Sequence, residues 1–216
     1  MFVLLGGYGI EVGLHRYFCH RLFKTNKVIE RILAYFAIMS GDGIIFPTSY
    51  HQGVHHKYAD DINKDLHSPN LGFFNSYFWW QTKINLKNVN LLAARHILRD
   101  PVLRLMDKHH VLIFWVSFIV MCLISVDFAI GMFLPASILA YHQINIVDSF
   151  GHVRAFGYRN IDTNDDSVNN VITGYLFWGL GWHNNHHGNP GRMNQRIRWW
   201  EYDIAGSLLI PIIAKR

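Results

Sequence analysis

The sequence predicts an all-α fold, an integral membrane helical bundle with a histidine-rich cap on its cytosolic side. Three observations support this fold class. Two long apolar runs lie side by side in the chain, the basic residues lie only on either side of them, and nine of the 14 His residues fall at four places outside the runs. The length of 216 residues fits a single domain, residues 1–216.

The N-terminal stretch MFVLLGGYGIEVGLH is apolar and has neither the basic leader nor the small-residue cleavage site of a signal peptide. We interpret about residues 1–18 as the second half of a membrane helix, or of a buried helix, whose beginning is missing. Residues 28–46 have apolar side chains at helical spacing but include Glu30, Arg31 and Asp42. They predict a helix at the membrane surface, with a buried helix of a soluble protein as the alternative.

The clearest membrane signal lies at about residues 111–126 and 128–150, two apolar runs on either side of Asp127. Each run is close to the ~20 residues that a helix needs to cross a hydrocarbon layer. We therefore predict two membrane helices here. A buried helical hairpin in a soluble protein is the alternative.

The distribution of basic residues favours the membrane interpretation. Thirteen of the 20 Lys and Arg residues lie between Arg16 and Lys108, and the other seven lie between Arg154 and Arg216. Two crossings leave both basic segments on one side, which the positive-inside rule makes cytoplasmic. We expect residues 19–110 and 151–216 to form the cytosolic or interfacial cap. The basic residues are scattered, so nucleic acid is not a predicted partner.

The His residues are the strongest functional signal. They occur as HRYFCH (His15 and His20), HQGVHH (His51, His55 and His56), GWHNNHH (His183, His186 and His187) and the single His152 in DSFGH. Residues three or four apart share a helix face, so His183 can converge with either His186 or His187. His15 and His20 diverge by ~140° on an α-helix, unless the helix ends between them or they serve two metal ions.

Imidazoles gathered on one side of a membrane predict a metal site, and such ligands suit Fe, Cu, Zn or Ni. Nine His residues exceed what one ion can bind, so we predict two ions. The di-iron sites of soluble helical bundles use Glu and Glu-x-x-His ligands. The three Glu residues of this chain, at positions 11, 30 and 201, do not form that motif.

Five stretches between about residues 6 and 203 carry a resemblance to a known family. They are GLHRYFCHRLFKT, HHKYADDINKDLHSP, RDP, DSFGHVRAFGYRN and GLGWHNNHHGNPGRMNQRIRWWEYD. With them the sequence resembles the membrane fatty-acid desaturases of the acyl-CoA or acyl-lipid delta-9 type. The resemblance implies a four-helix membrane bundle, whose first helix is missing here, and two Fe ions held by nine His residues. By motif match, the ligands are His15, His20, His51, His55, His56, His152, His183, His186 and His187.

The sequence departs from the family pattern at three places. The family's second box, H-x-x-H-H, would have a His at Gln52, whereas this chain has His51 one residue earlier. Asp148 replaces the Asn that usually precedes the single His by four residues, and Glu11 stands four residues before His15. We expect Asp148 to ligate a metal directly or through water. We expect Glu11 to orient His15 as a hydrogen-bond partner.

Other side chains are expected around this site. Asn184 is expected to support the ligands through its amide group or to contact a metal-bound water. Trp178, Phe73 and Trp79 are expected to line an apolar tunnel for the substrate chain.

The resemblance implies an O2-dependent oxidoreductase that inserts a cis double bond into a saturated acyl chain. The chain would be carried by CoA, acyl carrier protein or a membrane lipid, and the electrons would come from a ferredoxin or a protein of cytochrome b5 type. Two alternatives stay open: a hydroxylase or ketolase on the same scaffold, and a shortened, non-catalytic member that binds lipid or metal.

Overall fold

The computed structural model describes residues 1–85 and 89–215. These residues are mainly helical and contain no β-strand, so the all-α prediction is confirmed. Two isolated antiparallel bridges join Asn169 to Tyr158 and to Trp182. The main helices are α1 (Val3–Cys19), α2 (Lys27–Ile38), α3 (Ile45–Tyr50, continued by His51–His55 and His56–Tyr58), α4 (Phe73–Tyr77), α5 (Arg95–Leu98), α6 (Pro101–Lys108), α7 (His110–Ile124), α8 (Val126–Phe150), α9 (Val171–Leu176), α10 (His183–Gly188) and α11 (Ala205–Leu209, continued by Ile210–Ile213).

Helix α1 lies at the centre of the fold and packs against α2, α8 and α11. Its glycines allow the close approach of α2. A Cβ atom on Gly9 would lie only 2.6 Å from the carbonyl oxygen of Phe36. Larger apolar side chains of both helices, including Leu5, Ile10 and Leu33, are almost fully buried and form the main core.

The helix predicted over residues 28–46 is interrupted. Asn26 caps the start of α2 by accepting a hydrogen bond from the backbone N–H of Ile29. After α2 the chain turns at Gly41, whose φ of +100° suits glycine and ends the helix. The chain then re-enters a helix as α3, because Asp107 of α6 accepts hydrogen bonds from the backbone N–H groups at the start of α3, including that of Ile45 at 2.8 Å.

Helices α7 and α8 contain the two apolar runs. Of the described residues, only α8 forms a single helix that is long and apolar enough to cross a membrane. Helix α7 meets this condition only together with α6, from which it is bent by 72°. None of the residues of α7 is buried, and Leu123 is 82% exposed. The two helices therefore present a large apolar surface to their surroundings.

Candidate metal centre

Eight imidazoles from four parts of the chain come together in two adjacent groups. The first group is His15, His20, His56 and His186, and the second group is His55, His152, His183 and His187. In each group the four candidate ligand atoms lie within 4.8 Å of one another. His55 and His56 are consecutive in the chain, and so are His186 and His187. In each pair one ring belongs to the first group and the other ring to the second group, so the two groups are direct neighbours.

Helix α1 is wound as a π-helix over Val3–Cys19, and this wide winding brings His15 and His20 together. The backbone N–H of His20 donates to the carbonyl oxygen of His15 at 3.1 Å, a hydrogen bond that spans five residues instead of four. Residues five apart therefore lie above one another, and the two ring centroids are 4.9 Å apart. The divergence expected for an α-helical turn does not occur.

The distances between ring nitrogens match those around a metal ion. The Nε2 atom of His186 lies 3.1 Å from Nε2 of His15 and 3.3 Å from Nε2 of His56. In the second group, the Nε2 atoms of His152 and His183 are 2.9 Å apart. Two nitrogens that each bind one ion at about 2.1 Å lie roughly 3.0 Å apart at a right angle and roughly 3.4 Å apart at a tetrahedral angle. The nitrogens are thus already spaced as ligands.

Helix α10 supplies both groups. His183 and His187 are four residues apart, share one face and have ring centroids 4.4 Å apart. His186 points to the first group, where its ring centroid is 4.5 Å from that of His20. Of the two partners that the sequence left open for His183, the structure selects His187.

Carboxylates hold the far nitrogen of four of the eight rings. The Nδ1–oxygen distances are 2.9 Å for His15 and Glu11, 3.0 Å for His55 and Asp65, 2.8 Å for His152 and Asp60, and 2.8 Å for His187 and Asp165. A ring that donates its Nδ1–H to a carboxylate keeps the lone pair of Nε2 free for a metal and is held in one orientation. Glu11 is the carboxylate that contacts Nδ1 of His15.

The sequence analysis did not single out Asp60, Asp65 or Asp165. All three lie in loops beside the His motifs, in the stretches YADDINKD and TNDDS. Their acidic neighbours Asp61 and Asp162 point outward, the side chain of Asp162 being fully exposed. The acidic composition of these stretches was the available signal, but it does not tell which acid faces inward.

The donor set fits a metal ion. The Nε2 atoms of His20, His55 and His187 are buried and have no hydrogen-bond partner among the described residues. Buried polar atoms nearly always have a partner in native proteins, and a bound ion would provide one here. Imidazole nitrogens that face a common point are ligands for ions such as Fe, Cu, Zn or Ni.

Burial favours the neutral form of four of these rings, and the neutral form is the one that binds a metal. Burial lowers the pKa well below the usual histidine value for His20, His56, His183 and His186. Among the supporting acids, burial alone would raise the pKa of Asp65. The charge and hydrogen bond of His55 outweigh burial and hold that pKa below its usual range. Asp65 is therefore ionised at neutral pH and accepts the Nδ1–H.

His51 lies outside both groups. Its Nδ1 is 3.5 Å from Oδ2 of Asp148, and Nε2 of His67 is 3.7 Å from the same oxygen. The other oxygen of Asp148 is 4.0 Å from Nε2 of His183, so this buried carboxylate lies between His51 and the second group. Oδ2 of Asp148 and Oε1 of Gln52 are buried and have no hydrogen-bond partner among the described residues.

A buried guanidinium links α1 to the segment before α11. Arg16 is 1% exposed and donates through Nε to Glu11 at 2.6 Å. Its terminal nitrogens donate to both oxygens of Asp203, at 2.8 and 3.1 Å. Asp203 in turn accepts the backbone N–H of Gln195 at 2.7 Å, and the Gln195 amide nitrogen is 3.4 Å from Nδ1 of His186. The network thus reaches the first group from two sides.

The amide of Asn184 holds a loop. Its oxygen accepts the backbone N–H groups of Asn160 and Ile161 at 2.8 and 2.9 Å, and its nitrogen donates to the carbonyl oxygen of Ile161. The next side chain, Asn185, bonds Asn169 and the carboxylate of Glu201. Both amides therefore fix α10 against the segments that surround it.

A cavity of about 330 Å³ lies beside His51. Leu14, which precedes His15, and Ile10 form part of its apolar wall, and His51 reaches it from α3. Trp80 also lines it.

None of Phe73, Trp79 and Trp178 lines this cavity. Phe73 packs edge-on against Phe150, with ring centroids 4.9 Å apart. Trp79 is 58% exposed, and Trp178 packs on Phe2.

Comparison with known proteins identifies the family. The Fatty acid desaturase family matches residues 1–216. The sn-1 stearoyl-lipid 9-desaturase of Anabaena variabilis is 30% identical over 212 residues, which cover 95% of this chain and 75% of that protein. Delta-9 acyl-lipid desaturase 2 of Arabidopsis thaliana is 31% identical over 214 residues, covering 95% and 67%. The Hex-5-enoyl-[acyl-carrier protein] acetylenase of Moorena producens is 26% identical over 223 residues, covering 93% and 68%. The chain therefore belongs to the fatty acid desaturase family, and it is an oxidoreductase of that family.

Proposed function

We propose that this chain is a membrane di-iron desaturase that inserts a cis double bond into a saturated fatty-acyl chain, using O2 and an external electron donor. The observation that carries the proposal is the pair of four-imidazole groups. A cavity with an apolar wall reaches His51, which lies beside Asp148 at the edge of the second group. The relatives act, by their names, on stearoyl-lipid, acyl-lipid or acyl-carrier-protein substrates. The acyl carrier of this chain would be a lipid, CoA or acyl carrier protein, and the donor a ferredoxin or a cytochrome b5 type protein.

In this proposal, each group of four His residues holds one iron. Asp148 completes the second group, either directly or through water, because one of its oxygens lies 4.0 Å from Nε2 of His183. His51, the ninth histidine of the motif match, lies on the other side of Asp148, with its Nδ1 3.5 Å from Oδ2.

Bound iron supplies, with O2 and two electrons, an oxidant strong enough to take hydrogen from an unactivated methylene group. The chain's own residues then determine where this happens. Leu14 and Ile10 would contact the acyl chain and align it with α1. The reacting carbons of the acyl chain would then lie near the end of the helix that carries His15. The carboxylates on the far nitrogens would hold the rings in the orientation that an iron ion requires.

The apolar surface of α7 and α8 supports a membrane location. Leu123 and Ile124 are 82% and 74% exposed, which is unfavourable in water and favourable in lipid. We propose membrane segments at about 1–18, 111–126 and 128–150, with residues 19–110 and 151–216 and the active site on the cytoplasmic side. The basic residues on either side of α7 and α8 support that orientation.

The proposal is tested by expressing the chain in a host that lacks its own desaturase and analysing the fatty acids. New cis-unsaturated chains are expected, and the variant His186→Ala is expected to form none because it removes a ligand of the first group. Products with an added oxygen instead of a double bond would make the chain a hydroxylase. Iron-loaded protein without any lipid product would make it a non-catalytic member.

A separate experiment tests whether Asp148 contributes to iron binding. Asp148→Asn is expected to weaken iron binding in the second group by about 10–100-fold, because a neutral amide attracts a metal cation less than a carboxylate does. Iron content is measured against increasing chelator concentration. Asp127→Asn, at the other end of α8, is the control and should behave as the parent. An unchanged chelator curve for Asp148→Asn would exclude a role for this carboxylate at the metal.

A further inference from the structure

The wall of the cavity beside His51 is not apolar throughout. Asp42, in the loop between α2 and α3, contributes to it opposite the apolar side chains of α1. Gln81, Tyr141 and Asn145 line the same cavity. A tunnel for a plain hydrocarbon chain has no use for a carboxylate, so Asp42 needs an explanation.

Asp42 is half-buried and differs from the fully buried acids Asp65 and Asp203. Asp65 and Asp203 each have several hydrogen-bond donors around them. Within the described parts of the chain, the oxygens of Asp42 have no hydrogen-bond or ion-pair partner. Burial raises its pKa to about 6, against the weak opposing effect of His110. The group is therefore mostly ionised at neutral pH, and it has free acceptor sites that border the cavity.

The loop that carries Asp42 is held in place. Its end is fixed by Asp107, whose carboxylate accepts the backbone N–H groups of Ile44 and Ile45 at 2.6 and 2.8 Å. A Cβ atom on Gly43 would lie 2.5 Å from the same carboxylate, so the loop runs directly along α6. Asp42 is thus presented to the cavity by fixed backbone and not by a free loop.

Gln81 is a second polar group in the wall of the same cavity. The Tyr141 hydroxyl donates to the Gln81 side-chain oxygen at 3.2 Å. Among the described residues, the Gln81 amide nitrogen has no acceptor, so its N–H groups are available. A hydroxyl group can donate to one oxygen and accept from one N–H at the same time. The cavity wall therefore offers acceptor oxygens at Asp42 and N–H groups at Gln81, and a hydroxyl can pair with either of them.

The geometry points to a substrate class: the cavity takes a fatty-acyl chain that carries a hydroxyl group on the part of the chain that lies beside Asp42. This inference rests on the proposed function for the reaction, and it concerns which acyl chain is selected. A site with buried polar groups discriminates against a ligand that leaves them unpaired. A plain chain would remove water from the carboxylate of Asp42 without replacing its hydrogen bonds.

The test measures binding without turnover. Iron-loaded protein that receives no electrons is titrated by calorimetry with one saturated fatty acid and with isomers of it that carry a single hydroxyl at successive carbons. At least one hydroxylated isomer is expected to bind roughly 10–100-fold more tightly than the plain chain, the usual gain from a hydrogen bond to a charged group. In Asp42→Leu this preference is expected to disappear, and Asp42→Asn should keep part of it.

The control variant is Asp162→Leu, which removes a fully exposed acid and should keep the parent's preference. Equal affinity of the parent for plain and hydroxylated chains would overturn the inference, and so would a preference that persists in Asp42→Leu. Asp42→Asn keeps the inference testable if the leucine variant does not fold. Because no turnover is needed, a failure of desaturation in the host would refute the proposed reaction and leave this binding result standing.

Discussion

Replacing Arg16 with leucine is expected to destabilise the protein more than any other single substitution of a charged residue considered for this chain. The free energy of unfolding should fall by about 3–5 kcal/mol, the range found when one partner of a buried ion pair is removed. For a chain of this size, that corresponds to a decrease of the unfolding midpoint by about 6–20 °C. Thermal unfolding in detergent measures it.

The reason is the set of partners that the guanidinium leaves behind. Glu11 and Asp203 are both fully buried, and Arg16 is the cation that lies within ion-pair distance of each. Without it, two carboxylates remain in the interior with too few donors. Lysine is expected to restore only part of the loss, because one ammonium group cannot bond several oxygens in the planar arrangement of a guanidinium.

Two further variants make the result specific. Arg154→Leu removes an exposed partner of Asp166, and its midpoint should match that of the parent. The double variant Arg16→Leu, Asp203→Asn should recover part of the loss, because one of the two unpaired charges is gone. A midpoint of Arg16→Leu within 2 °C of the parent, which corresponds to less than about 1 kcal/mol, would contradict the buried network.

The elements that the sequence predicts well are those that depend on local composition. The two apolar runs form helices α7 and α8 because they contain enough apolar residues. The break between the helices lies at Ser125, which caps α8 by accepting the N–H of Phe128. The break after α2 was missed because its cause is one glycine in a left-handed conformation inside a pattern of helical spacing. Periodicity alone does not reveal such a turn.

In the candidate site, too, the sequence predicts the local features and misses the others. The His motifs identify the eight rings because imidazole pairs at helical spacing are a local feature. The π-helical winding of α1, which places His20 above His15, is different because it has no sequence signature. The acids Asp60, Asp65 and Asp165 could not be chosen either. They reach the rings across loops, and nothing in the sequence separates Asp65 from its exposed neighbour Asp61.

Replacing Asp65 with asparagine is expected to weaken one of the two metal sites selectively. Asp65 accepts the Nδ1–H of His55 at 3.0 Å, and His55 belongs only to the second group. Loss of such a carboxylate usually lowers metal affinity by about 10–100-fold. Iron per chain, measured against increasing chelator, should then fall in two steps, with one ion leaving early and one as in the parent.

Asp65 also accepts hydrogen bonds from the Tyr50 hydroxyl at 2.9 Å and from the backbone N–H of His67 at 3.1 Å. The loss of these bonds could destabilise the fold, so this effect must be distinguished from the loss of the contact with His55. Tyr50→Phe removes one of these bonds and leaves His55 untouched. It should lower the unfolding midpoint without producing the two-step loss of iron. Asp61→Asn, four residues away and on the surface, should change neither. If both ions left Asp65→Asn together, at the parent's chelator concentration, then the two groups would not be separate sites. In that case, the division of the eight rings into two ions would have to be abandoned, because the carboxylate that belongs to one group alone would have no effect of its own.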